Sequence, residues 1–147
     1  MVLLDTNALF LPVRVGFPLE SEIDRLFPGA KVVIADSGIR ELDGLVEGRS
    51  PGAAGARSLA RRFSPIPVRK RGDDAVVEAA VREHAVVVTA DRGLQERLRR
   101  RGVTVLVPRD RHRLEVLPPR TSGRSAQRPV ARAADKSTAR TRRRGNG

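Results

Sequence analysis

Asp5 closes a short apolar run, Val2-Leu3-Leu4, and Asp91 follows another at residues 85–88. In an open parallel sheet, ligands bind beyond the carboxyl ends of the strands, so both acids stand where chemistry is done. Neither is informative alone, because an Asp after a strand is ordinarily a turn residue or a helix cap. The helices add to the pair. At about 100° per residue with Val76 at zero, Ala80, Val77 and Ala79 mark an apolar arc, Asp73 falls inside it at about +60°, and Asp74 falls at its edge at about +160°. A carboxylate turned toward the sheet needs a counter-charge, since burying it unpaired is expensive. The competing reading of Asp73 is a cap following Gly72 that never turns inward. Glu41 lies at the border of its helix's apolar stripe, beside Leu45. On geometry alone it is an ordinary boundary residue.

The donor types narrow the chemistry. The chain has no Cys and only two His, which leaves carboxylate oxygens as the ligands on offer. Such a set suits a hard cation, Mg²⁺ or Mn²⁺. Several carboxylates around such an ion fit phosphodiester hydrolysis, in which the metal activates a water and neutralises charge on the leaving oxygen. His84 and His112 have no evident catalytic placement and read as surface or structural residues.

These acids have to be positioned by alternating strands and helices. Apolar runs predict strands at residues 2–4, 31–35, 85–88 and 103–107. The Pro-rich stretch 64–68 can hold only a short edge strand. Leu19, Ile23, Leu26 and Phe27 repeat at helical spacing and stop at Pro28-Gly29. Asp36 and Ser37 can cap a helix built on Ile39, Leu42, Leu45 and Val46. Residues 48–55 read as a loop, followed by a helix on Ala56, Leu59, Ala60 and Phe63. A further helix spans about residues 73–84, and a last one carries Leu94 and Leu98 and ends at Gly102. The alternation predicts a parallel sheet covered on both faces.

The net charge of +12 points to a polyanionic partner. Residues 118–147 hold nine Lys or Arg against one acid, Asp135, a net +8 that leaves +4 for residues 1–117. Pro, Gly, Ser, Ala and Arg dominate that stretch, so it is expected to be a disordered basic tail. Its basic residues recur every fourth position from 120 to 140. They would form one stripe if helical, although chance phasing in a low-complexity segment is the simpler reading. With four Phe and no Tyr or Trp, nucleic-acid contact would rely on charge more than stacking. No apolar run approaches a membrane span. The N-terminus lacks the basic lead of a signal peptide, so a cytoplasmic protein without membrane contact is the expectation.

The order of motifs resembles the PIN-domain nucleases. The matching stretches are Leu3-Leu4-Asp5-Thr6-Asn7, Ile34-Ala35-Asp36 with Arg40-Glu41-Leu42, Gly72-Asp73-Asp74-Ala75, and Val88-Thr89-Ala90-Asp91-Arg92-Gly93-Leu94. The likeness covers about residues 2–117. It is greatest to small archaeal PIN proteins and ribosomal-RNA-processing PIN nucleases, and VapC-type toxins share the pattern. It implies a three-layer α/β/α sandwich around a mostly parallel sheet of about five strands, and Mg²⁺- or Mn²⁺-dependent cleavage of RNA, ribosomal or otherwise structured. By position it implies Asp5 and Asp91 as direct metal ligands and catalytic acids. Glu41 and Asp73 complete the acidic set, directly or through water. Asn7 and Thr89 would support them by hydrogen bonds, and Asp74 is the alternative to Asp73. Many members dimerise, so a homodimer is an expectation, as is an antitoxin or ribosome-assembly partner. The basic tail is not part of the domain pattern.

Two other functions compete. A PIN scaffold could serve as a non-catalytic RNA- or ribosome-binding module, because fold does not dictate activity. Asp5 at a strand end would also suit a small-molecule phosphohydrolase, but Asn7 stands where that chemistry wants a second Asp, and no cap domain is present.

Overall fold

The structure is a computed structural model, and it describes residues 1–120. Five parallel strands form most of one sheet: β1 (Val2–Leu4), β2 (Val32–Ala35), β3 (Ser64–Ile66), β4 (Val86–Val88) and β5 (Val105–Pro108). A sixth, β6 (Leu114–Leu117), pairs antiparallel with β5. The spatial order is β3-β2-β1-β4-β5-β6. The chain therefore builds outward from β1 through β2 to β3, then returns to the other side of β1 for β4. Adjacent connections leave in opposite directions at β1 and β4, which makes the gap beyond their carboxyl ends the switch point of the sheet.

Alternation along each strand sends residues to two separate cores. Val2, Leu4, Ile34, Val88 and Leu106 face one side. They pack there against α1 (Phe10–Val15), α2 (Leu19–Leu26), α3 (Asp36–Glu47) and α4 (Ala53–Ala60) through Phe10, Leu19, Ile23, Leu42 and Ala56. Leu3, Val33, Val87 and Val105 face the other side, against α5 (Gly72–Glu83) and α6 (Arg92–Arg100), which supply Val76, Val77, Ala80, Leu94 and Leu98. This is the expected three-layer α/β/α sandwich. The edge placement of the proline-bearing β3 also agrees with expectation, since Pro65 costs the ladder least where one side faces outward.

Three elements differ from the sequence reading. Residues 6–15 form a 3-10 turn (Thr6–Leu9) and α1, where no helix was expected. Pro12 is compatible with this helix because it occupies the first turn, whose N–H groups have no intrahelical acceptor. Helix α4 begins at Ala53, inside the stretch expected to be a loop. The expected apolar stripe starts only at Ala56, and the helix ends at Ala60, short of Phe63. A Cβ built on Gly55 would sit 3.1 Å from Val13, so the small residues at its start let α4 close on α1. The sixth strand follows an Arg- and Asp-rich turn in which Asp110 Oδ1 accepts the backbone N–H groups of His112 and Arg113. Glu115 interrupts its apolar residues, so no apolar run marks it in the sequence.

Past Leu117 the chain runs back along α6. The backbone N–H of Arg120 donates to the Arg99 carbonyl at 2.9 Å, and its guanidinium pairs with Glu96. The expected disorder and the basic phasing from residue 121 onward lie outside the described residues. Among the described residues, no helix is long and apolar enough to cross a membrane.

Candidate functional site

Asp5 is the first residue after β1, and its backbone N–H donates to the Val88 carbonyl at 3.0 Å. That bond ties it to the end of β4, across the switch point. Asp5 is only 7% exposed. The Thr89 hydroxyl donates to its Oδ2 at 2.7 Å. Although Asp5 precedes the 3-10 turn, its side chain makes no capping bond there. Burial pushes its carboxyl up to about 6 despite the Thr89 hydrogen bond, with Asp73 and Glu41 adding like-charge repulsion. This is a buried acid held among other acids.

Asp91 is the N-cap of α6. Its Oδ1 accepts the Leu94 backbone N–H at 3.0 Å, so the ordinary capping role and a place on the cleft coexist in one side chain. The cap uses one oxygen and fixes the orientation of the other. Thr89 joins the two aspartates, because its Oγ1 also accepts the Asp91 backbone N–H at 3.1 Å. Asn7 Oδ1 accepts the Ala90 backbone N–H at 3.2 Å, clamping the β1 and β4 loops together.

The adjacent acids of α5 separate cleanly. Asp73 lines the cleft, while Asp74 turns outward to Arg97 at 2.6 Å. The Asp73 carboxyl is raised by partial burial and then by Asp91, against a lowering contribution from Arg97. The Asp74 carboxyl is lowered, chiefly by its hydrogen bond from Arg97. Arg71 rather than Asp73 occupies the N-cap position, so the capping alternative for Asp73 is not realised. Glu41 reaches the cleft from α3, and its Oε1 accepts a hydrogen bond from the Thr6 hydroxyl at 3.1 Å. His84, in the left-handed conformation, caps α5 at its C-terminus, and His112 lies in the β5–β6 turn; neither lines the cleft.

Asp5, Glu41, Asp73 and Asp91 thus come from four segments to one cleft of about 550 Å³. Among the described residues, no ion pair involves any of the four. Nor do any three acids, as placed, converge closely enough to hold one ion. The donor set is nonetheless what a hard divalent cation takes, oxygen only and anionic. A cation there would offset the burial and repulsion that raise Asp5. The residues fit such an ion, with Asp5 and Asp91 anchored by Thr89 and with Glu41 and Asp73 at the rim.

Three contributors escaped sequence reasoning. Thr6 holds Glu41 and was legible only as the middle of the Asp-Thr-Asn triplet. Gln95 donates from Nε2 to the Thr89 carbonyl at 3.0 Å, bracing the residue that braces Asp5. Gly38 passes so close to Thr6 that a Cβ would sit 3.1 Å from its hydroxyl. Neither Gln95 nor Gly38 carries a signal in the sequence, because the contact that matters is with a different segment.

The fold and cleft define a class: an α/β sandwich with an acidic site at the switch point of a parallel sheet. Residues 2–111 match the model of a family described as the PIN like domain, and the chain belongs to that family. A solved structure of the PIN domain endonuclease Utp24 superposes with a TM-score of 0.68 at 24% identity, covering 82% of this chain and 95% of the other. That likeness extends the agreement in fold to nearly the whole described chain. No curated protein matches.

Proposed function

We propose that this protein is a metal-dependent endoribonuclease, hydrolysing RNA phosphodiester bonds with Mg²⁺ or Mn²⁺. The observation that carries the reading is the gathering of Asp5, Glu41, Asp73 and Asp91 in one cleft with no cation paired to them among the described residues. Unneutralised carboxylates repel one another, so a fold that collects four of them is suited to an external cation. A bound ion would supply an activated water and neutralise the leaving oxygen.

The chain's own groups do the rest. Thr89 holds the Asp5 carboxylate by donating to Oδ2, and leaves Oδ1 free of it. Asp91, fixed through Oδ1 to the start of α6, is ordered before any ligand arrives. Thr6 holds Glu41 at the rim, and Asp73 faces Asp91 from α5. Such preorganisation lowers the cost of assembling the site. The net charge of +12 favours a nucleic-acid substrate. Family membership and the fold shared with an endonuclease support cleavage within a strand. RNA maturation, ribosomal RNA included, is the role we favour; toxin-type cleavage would use the same residues.

Purified full-length protein incubated with RNA should produce internal cuts with Mn²⁺ or Mg²⁺ and none in EDTA. Asp5→Asn and Asp91→Asn should each abolish cutting. Undiminished cleavage in both variants would overturn the assignment. Sequencing of RNA ends in cells lacking the protein would identify the substrate.

A further inference from the structure

A second groove, of about 420 Å³, adjoins the acidic cleft and shares Ser37, Glu41 and Gly72 with it. What the groove adds is cationic: Arg40 from α3 and Arg71 from the approach to α5. Arg40 lies 3.8 Å from Asp36 with its side chain 63% exposed. An exposed pair of that kind is weak and easily exchanged for another anion. Among the described residues, Arg71 is in no ion pair. Arg14, which lines the acidic cleft, is by contrast engaged, with its guanidinium 4.5 Å above the Phe10 ring and bonded to the Pro51 carbonyl.

Ser37 lies between the two spaces. It is 8% exposed, lines both, and among the described residues its hydroxyl has no hydrogen-bond partner. A buried hydroxyl left unpaired is costly and uncommon, so an acceptor from outside the chain is the natural complement. An RNA strand crossing the acidic site also needs cations beside it, because carboxylates repel its flanking phosphates.

We propose that Ser37, Arg40 and Arg71 seat a backbone phosphate of the RNA strand, next to the phosphate being cut. The inference rests on the endoribonuclease reading. The two arginines supply charge and the Ser37 hydroxyl donates to a phosphate oxygen. The seat fixes the strand's register over the acids without reading its bases.

Binding of a short fluorescein-labelled single-stranded RNA to the full-length protein, followed by anisotropy in EDTA across a salt series, tests this without cleavage. The basic tail is common to all variants, so its contribution cancels in the differences. Arg40→Gln with Arg71→Gln should weaken binding about tenfold and make the log–log salt dependence shallower by about 0.7, the value for one phosphate on a single strand. Ser37→Ala should weaken it about threefold to tenfold, the worth of one hydrogen bond, with the salt slope unchanged. Arg100→Gln with Arg101→Gln, at the far end of α6, removes the same charge and should weaken binding less than the groove pair does. Equal losses from both arginine pairs, or full affinity in Ser37→Ala, would overturn the seat. The endoribonuclease reading fails separately, by uncut RNA when the wild-type protein is given Mn²⁺.

Discussion

The Thr89 hydroxyl donates to Asp5 Oδ2 across 2.7 Å while its oxygen accepts the backbone N–H of Asp91 at 3.1 Å. Thr89 is fully buried. One side chain thereby sets the positions of both strand-end aspartates, and the floor of the cleft depends on it.

Thr89→Val keeps the shape and removes both bonds. It leaves Asp5 and the Asp91 N–H short of a partner, so stability should fall by about 1–3 kcal/mol. Cleavage should fall with it, and Thr89→Ser, which retains the hydroxyl, should recover most of the activity. Urea denaturation beside cleavage rates checks this; a stable and fully active valine variant would contradict it.

Asp5→Asn should inactivate the protein yet stabilise its metal-free form. The Asp5 carboxyl stands at about 6 in the fold against an ordinary 3.8. At pH 8 it is ionised in both folded and unfolded chains and destabilises the fold, by an amount on the order of 2–3 kcal/mol at about 1.4 kcal/mol per pKa unit. As pH falls through about 6 the folded form takes up the proton first, so wild-type stability recovers and is fully restored below 3.8. Calorimetry in EDTA should show the advantage of Asp5→Asn at pH 8 and its disappearance near pH 4.

Gly38→Ala should separate stability from activity. Alanine is favoured in a helix by up to about 1 kcal/mol, but its Cβ would press on the Thr6 hydroxyl that holds Glu41. Cleavage should drop several-fold with the melting temperature unchanged or raised. Equal activity would mean that Thr6 gives way without disturbing Glu41.

Acid stability should report a different carboxylate. Glu22 receives Arg25 in two hydrogen bonds and the Leu114 backbone N–H at 2.8 Å, which ties α2 to β6. The Arg25 hydrogen bond, first among the causes, lowers its carboxyl from 4.5 to about 2. Its stabilisation is therefore complete above 4.5 and is lost as pH falls through about 2. Glu22→Gln should lower the melting temperature at pH 7 and flatten its decline below pH 4.5. An unchanged acid profile would assign that decline to other groups.

The sequence by itself determined the layered architecture. Short apolar strands alternating with amphipathic helices can bury their faces only as a sheet covered on both sides. It also placed Asp5 and Asp91 at strand ends, because the apolar runs stop there. Tertiary structure decided the rest. Residues 10–15 form a helix that the apolar spacing does not announce. Helix α4 starts at Ala53, ahead of its apolar stripe, where Val13 and Gly55 pack against each other, a contact between segments that periodicity does not register. Helical geometry already favoured Asp73 over Asp74, and what the sequence left open, the partner that holds Asp74 outward, is Arg97. On helical geometry Glu41 is a boundary residue, and only the family resemblance puts it in the acidic set. The contact that seats it on the cleft, with Thr6 from the turn after β1, is tertiary. Local propensity can specify an element and its register, but a site shared by four segments exists only once the chain crossings bring them together.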